Sequence, residues 1–109
     1  MIYNVIATPK FAKELKKLAK KYPSIKDEYS SLINDLETHP NQGSPLGKNC
    51  FKIRLAIKSK GKGKSGGARV ITNFVIIDKT VYLLSIYDKS NTDTITDKEL
   101  VELLSQVPK

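Results

Sequence analysis

FKIRLAIK, residues 51–58, alternates without a break. Phe51, Ile53, Leu55 and Ile57 fall on one side of an extended chain, and Lys52, Arg54, Ala56 and Lys58 on the other. Period-two alternation marks a half-buried strand, and here its wet face is basic. Two more runs follow it. RVITNFVII (69–77) is nearly all apolar, as a central strand should be, and the short turn Asp78-Lys79 leads into TVYLLSIY (80–87). Consecutive strands joined by turns imply an antiparallel meander.

Upstream, IYNVIA (2–7) is β-branched and aromatic and reads as a first strand. Thr8-Pro9 then has the form of an N-cap followed by proline at the first helical position. Phe11, Leu15, Leu18 and Tyr22 recur at helical spacing with lysines opposite, and Pro23 stops that helix. Ser24 is placed to cap a second helix, with Asp27 as a weaker capping-box partner. Ile25, Tyr29, Leu32, Ile33 and Leu36 form its stripe, and His39-Pro40 ends it. Residues 41–49, NQGSPLGKN, read as a turn-rich loop. Near the C-terminus Thr96 and Glu99 make a capping box, with Ile95 set to staple against Leu100. Leu100, Val101, Leu103, Leu104 and Val107 continue a short helix closed by Pro108. The expectation is an α+β fold in the order β-α-α-β-β-β-α. It has one domain over residues 1–109, an antiparallel sheet, a helical hairpin packed on one face, and all helices on that same side.

The 109 residues suit one core that needs no disulfide or structural metal, and the single cysteine, Cys50, cannot form an internal bridge. The start of the chain has no signal-peptide pattern, and no apolar run approaches the roughly 20 residues of a membrane span. A cytoplasmic protein without membrane association is expected. Net charge is +8, and it is gathered in two blocks. Residues 51–69 hold seven cations and no acid, and residues 10–21 hold six lysines against Glu14. Such blocks suit a nucleic-acid or acidic-protein partner, although lysines on a helix also serve solubility alone.

KSKGKGKSGGAR, residues 58–69, joins the first two strands of the meander. Its GKS triplet resembles a phosphate-binding loop, but the required first glycine is Lys58 and a strand follows instead of a helix. As a long hairpin tip, Lys58, Lys60, Lys62 and Lys64 form a cationic comb suited to a phosphate chain. Lys52 and Arg54 leave the same strand face, Arg69 opens the next strand, and Tyr87 and Lys89 end the last one. Paired strands would bring these five side chains onto one basic face.

A set rich in cations, without clustered His, Asp or Glu, offers no metal site and calls for no cofactor. His39 reads as a helix-end residue and Cys50 as an ordinary half-buried thiol. Cations suit one reaction well: attack of an RNA 2′-OH on the adjacent phosphorus, where charge builds on the nonbridging and leaving oxygens. A lysine crowded by other cations can also act as general base or acid.

FKIRLAIKSKGKGKSGGARVI followed by YLLSIYDKS resembles the RelE/ParE toxin superfamily, within it the HigB/RelE-like branch, and the likeness in element order covers almost the whole chain. The resemblance implies the toxin of a type II toxin–antitoxin module. It would be an endoribonuclease (mRNA interferase) that cuts messenger RNA on the ribosome without metal and so inhibits translation. It further implies that Lys52 and Arg54 act as general base and transition-state stabiliser, and that Arg69 binds the scissile phosphate. Lys89 stands where relatives often carry a general-acid arginine, and Tyr87 substitutes for a C-terminal tyrosine that stacks on the mRNA base. The implied partners are a cognate antitoxin, helix-turn-helix or acidic in character, together with ribosome and mRNA. Two alternatives stay open: a ParE-like gyrase inhibitor, and a noncatalytic RNA-binding module. Low aromatic content, 7% with no Trp, disfavours the second.

Overall fold

The computed structural model describes residues 2–60, 66–89 and 95–108. Strand β1 (Asn4–Ala7) leads into helices α1 (Pro9–Lys21) and α2 (Ile25–Thr38), followed by strands β2 (Ser44–Gly47) and β3 (Cys50–Leu55). A single 3-10 turn (Lys58–Lys60), strands β4 (Ala68–Val75) and β5 (Thr80–Asp88) and helix α3 (Asp97–Leu104) complete the order. The fold is α+β, as expected, with five strands arranged β1-β5-β4-β3-β2.

The meander holds for β2 to β5, which pair antiparallel in sequence. Two expectations need correction here. β2 lies inside the segment read as loop, because Lys48 and Asn49 take φ 54° and 60° and make a two-residue left-handed turn that folds Ser44–Gly47 back on β3. β1 joins β5 in parallel at the far edge, Asn4 opposite Thr80 and Ala7 opposite Leu83. The two helices that follow β1 carry the chain across to β2 at the opposite edge, and a strand's composition does not reveal its direction.

Burial explains a third correction. Phe11, Ile25, Leu32 and Leu36 of the helical hairpin pack with Ile53, Val70, Val81, Leu83 and Ile86 on one face of the sheet. Leu100 and Leu103 of α3 pack with Cys50, Ile71, Tyr82 and Leu84 on the other. Because β4 and β5 are apolar on both sides, each face needs its own cover, so α3 lies opposite α1 and α2.

The caps of α1 and α3 follow the local sequence. Thr8 Oγ1 accepts from the Phe11 N–H, and Thr96 and Glu99 close a full capping box. These bonds hold the Glu99 carboxyl below its usual range. Ser24 departs from expectation: its backbone is already helical (φ −67°, ψ −15°) and its hydroxyl makes no cap bond. The hydroxyl bonds Glu28 Oε1 at 3.0 Å and Ser59 Oγ at 2.8 Å, tying α2 to the 3-10 turn.

One irregularity in β5 governs what its end presents. Ile71 pairs with Ser85 but Thr72 with Leu83, so Leu84 is an extra residue. Tyr82 and Leu84 lie under α3, and Ile86 returns to the helical-hairpin core. Tyr87 therefore faces the α3 side, where strict alternation would have turned it away. Among the described residues no helix is long and apolar enough to cross a membrane.

Asn73 holds the β2–β3 turn by donating from Nδ2 to the Lys48 and Asn49 carbonyls, both at 3.2 Å. Asn73→Ala is expected to cost about 1–2 kcal/mol, seen as a lower urea midpoint with an unchanged slope. An unaltered midpoint would show the turn to be held by its backbone alone.

Candidate active site

β3 sends Phe51, Ile53 and Leu55 towards the helical hairpin, and Cys50, Lys52 and Arg54 towards the α3 side. The register then builds a row. Arg54 lies opposite Arg69, and Arg69 opposite Tyr87, so the three share one rung across β3, β4 and β5. With strands about 4.8 Å apart, Arg54 and Tyr87 stand about 10 Å apart at their bases. Lys52 lies two rungs along with Ile71 and Ser85, the next rung whose side chains share this face, about 7 Å along β3 from Arg54. The Lys89 N–H donates to the Gly67 carbonyl at 3.1 Å, which carries the ladder past the row and puts Lys89 at its end. Lys52, Arg54, Arg69, Tyr87 and Lys89 thus gather at one end of the sheet, Lys52, Arg54 and Arg69 through regular pairing and Tyr87 through the β5 bulge.

Exposure across the row is graded. Arg54 is exposed, Lys52, Tyr87 and Lys89 are half-buried, and Arg69 keeps only 2% of its surface. Arg69 Nη1 donates to its neighbour's carbonyl, Ala68 O, at 3.2 Å. Among the described residues neither Lys52 nor Arg54 forms an ion pair; the surface pair is Lys10–Glu14. Hollows flank both ends. One of about 480 Å³ opens beside Lys52 and Arg54, against Gln42, Gly43 and Ser44. Another of about 440 Å³ lies beside Tyr87, between Lys10 and Glu14 of α1 and Glu99 and Glu102 of α3. The arrangement can receive an anionic chain passing over the exposed cations.

Lys58 does not join this row. β3 ends at Leu55, and Ile57 buries completely in the helical-hairpin core, which draws the chain over the sheet end. The Lys58 N–H donates to Glu28 Oε2 at 2.7 Å and the Ser59 N–H to Ser24 Oγ at 2.9 Å. Lys58 therefore starts the hairpin tip beside α2, where it lines a hollow with Arg54, Asp27 and Asp35. Lys62, Lys64 and the side chain of Lys60 lie outside the described residues.

Two contributors escaped the sequence reading. Gly67 sits at a close approach: a Cβ there would overlap the Leu55 carbonyl oxygen, beside the Arg54–Arg69 rung. Glu14 holds the outer edge of β5 next to Tyr87, accepting from Ser85 Oγ at 2.9 Å and the Ile86 N–H at 3.3 Å. Its signal was present in the sequence as the sole acid among six lysines in residues 10–21.

Comparison with known proteins bears on this geometry. The family described as the RelE toxin of the RelE/RelB toxin–antitoxin system matches residues 10–107. Among solved structures, a mutant of Escherichia coli toxin RelE in the free state is similar with 17% identity, covering 97% of this chain and 94% of its own, at a TM-score of 0.61. The RelBE2 toxin–antitoxin complex of Mycobacterium tuberculosis matches with 21% identity over 81% of this chain and 92% of its own, at 0.57. The E. coli RelE mutant bound to an antitoxin peptide matches with 16% identity, over 99% and 100%, at 0.52. At these identities the structural likeness speaks for the fold.

Cys50 shares the face of the row but is not equipped as a nucleophile. Burial pushes its thiol pKa up, with the Asn73 hydrogen bond and the nearby Lys48 partly opposing the shift. At neutral pH the folded protein is expected to resist iodoacetamide, with labelling rising only above the usual thiol range or on unfolding in urea. Rapid labelling of the native protein at pH 7 would contradict this.

Proposed function

The chain belongs to the RelE toxin family, and from that premise we propose that it is an endoribonuclease that cleaves messenger RNA on the ribosome and so stops translation. The supporting observation is the Arg54–Arg69–Tyr87 rung with Lys52 two residues along β3 on the same face. Cleavage by transfer to the 2′-OH needs a proton acceptor at the 2′ oxygen, positive charge at the nonbridging oxygens and a proton for the 5′ leaving oxygen.

In the proposed reaction Lys52, entering as the neutral amine, accepts the 2′-OH proton as that oxygen attacks phosphorus. The P–O5′ bond breaks, leaving a 2′,3′-cyclic phosphate and a 5′-OH, and Lys89 supplies the leaving-group proton. Arg54, exposed, contacts the phosphate directly. Arg69, almost solvent-free, sits beneath it, where a cation in low dielectric acts more strongly than one in water. Tyr87 supports the neighbouring base. The cations supply the charge stabilisation that a metal ion would supply elsewhere. DNA lacks the 2′-OH and is spared.

The same charge defines the partners. A chain of net charge +8 enters a site walled by ribosomal RNA by electrostatic steering, and it must be neutralised when idle. A cognate antitoxin of acidic or amphipathic character fills that second role. The toxin–antitoxin complexes among its structural relatives support this assignment.

The test is a purified translation system with primer-extension mapping of the message. Wild-type protein is expected to cut mRNA only when ribosomes are present, and Arg54→Ala to reduce the rate on the order of 100-fold with little change in thermal stability. Because Arg69 is buried, Arg69→Lys accompanies Arg69→Ala to separate loss of charge from loss of packing. Intact mRNA after incubation with folded wild-type protein and translating ribosomes would reject the proposal.

A further inference from the structure

We infer that Glu14 is a positioning residue for the Tyr87 end of the row, acting by clamping the β5 bulge. The inference rests on reading that row as the RNA-cleaving site.

β1 runs out at Ala7, opposite Leu83, so the outer edge of β5 has no strand beside it from Leu84 onward. The bulge residue Leu84 falls at that point. An unsupported bulge on an unpaired edge would leave backbone groups without partners and the local register weakly determined. Helix α1 takes over where β1 stops. Its cap residue, Thr8, donates from the N–H to Leu83 O at 3.1 Å and from Oγ1 to Leu83 O at 2.8 Å. Further along α1, Glu14 Oε1 receives the Ser85 hydroxyl and the Ile86 N–H. Lys10 Nζ engages the other oxygen, Oε2, at 3.1 Å, which leaves Oε1 to the strand. One helix thus supplies donors before the bulge and an acceptor after it.

That acceptor has a consequence one residue away. The extra residue at Leu84 is what puts Tyr87, rather than Ile86, on the face of Arg69. Releasing the Ile86 N–H lets β5 relax towards regular alternation, which turns Tyr87 off the row. The hydrogen bonds of Glu14 go to Lys10, Ser85 and Ile86, so the positioning role inferred for it runs through β5.

The test uses the full chain with Glu14→Ala, Glu14→Gln and Ser85→Ala. In Glu14→Ala the Ile86 amide is expected to exchange with solvent at least about tenfold faster, the size of effect that accompanies loss of a bond to a charged acceptor. The kcat for mRNA cleavage should fall by about tenfold with KM changed less than about twofold, as when an alignment needed in the transition state is lost. Glu14→Gln keeps an acceptor oxygen and should restore both readouts. Ser85→Ala, a one-atom loss that folds even if Glu14→Ala does not, should move both in the same direction by about threefold.

Ile86 exchange unchanged in Glu14→Ala, or in Ser85→Ala where only that variant folds, overturns the clamp. Faster exchange with unchanged kcat overturns the positioning role. If wild-type protein cuts no RNA, the functional reading falls on its own. The Ile86 exchange and the Tyr87 ring resonances, shifted in Glu14→Ala and restored in Glu14→Gln, then decide the clamp independently.

Discussion

β4 and β5 are apolar on both sides, and every other element is arranged around covering them. The helical hairpin takes one face and α3 the other. α3 spans eight residues, too few to be stable alone in water, so it depends on its capping box and on burying Leu100 and Leu103. Each of those leucines contributes about 2 kcal/mol by leaving water. A helix this short covers only part of the sheet. The part it does not cover carries Lys52 and Arg54, so the same economy of cover that completes the core leaves a patch of sheet open to a ligand.

That patch works against the fold that carries it. Like charges directly opposite on adjacent strands destabilise a sheet, and Arg54 and Arg69 are directly opposite. Splayed side chains and solvent around the exposed Arg54 soften the repulsion. Nothing in the packing requires two arginines on one rung. Violations of local rules gather at functional sites, and an anion laid across this rung would relieve the repulsion while gaining from both charges.

Legibility in the sequence followed the range of the forces involved. Thr8-Pro9, the Thr96–Glu99 box and the alternation of residues 51–55 are local, and each behaves as its residues say. Ser24 has the chemistry of a cap but is already helical in backbone, and its hydroxyl finds Glu28 and Ser59 instead. β2 was hidden because SPLG reads as turn; only the left-handed pair Lys48-Asn49 makes it a strand, and lysine seldom advertises positive φ. The parallel pairing of β1 and the side taken by α3 are decided by which apolar face lacks a cover, a question no single segment answers. The row of cations was legible because it needs only period-two geometry and neighbouring strands. The face on which Tyr87 lies was not, since one extra residue in β5 reverses it.

The burial of Arg69 gives the row its direction. A cation with 2% of its surface exposed acts through a medium that screens little, whereas Arg54 acts through solvent. A basic side chain therefore lies beneath the sheet surface as well as above it. In the proposed reaction a phosphate that meets Lys52 and Arg54 has Arg69 next along the rung, with Tyr87 and Lys89 beyond it. This order depends on β5 holding its irregular register at the unpaired edge. The electrostatics of the site and the backbone geometry of that edge are therefore one design.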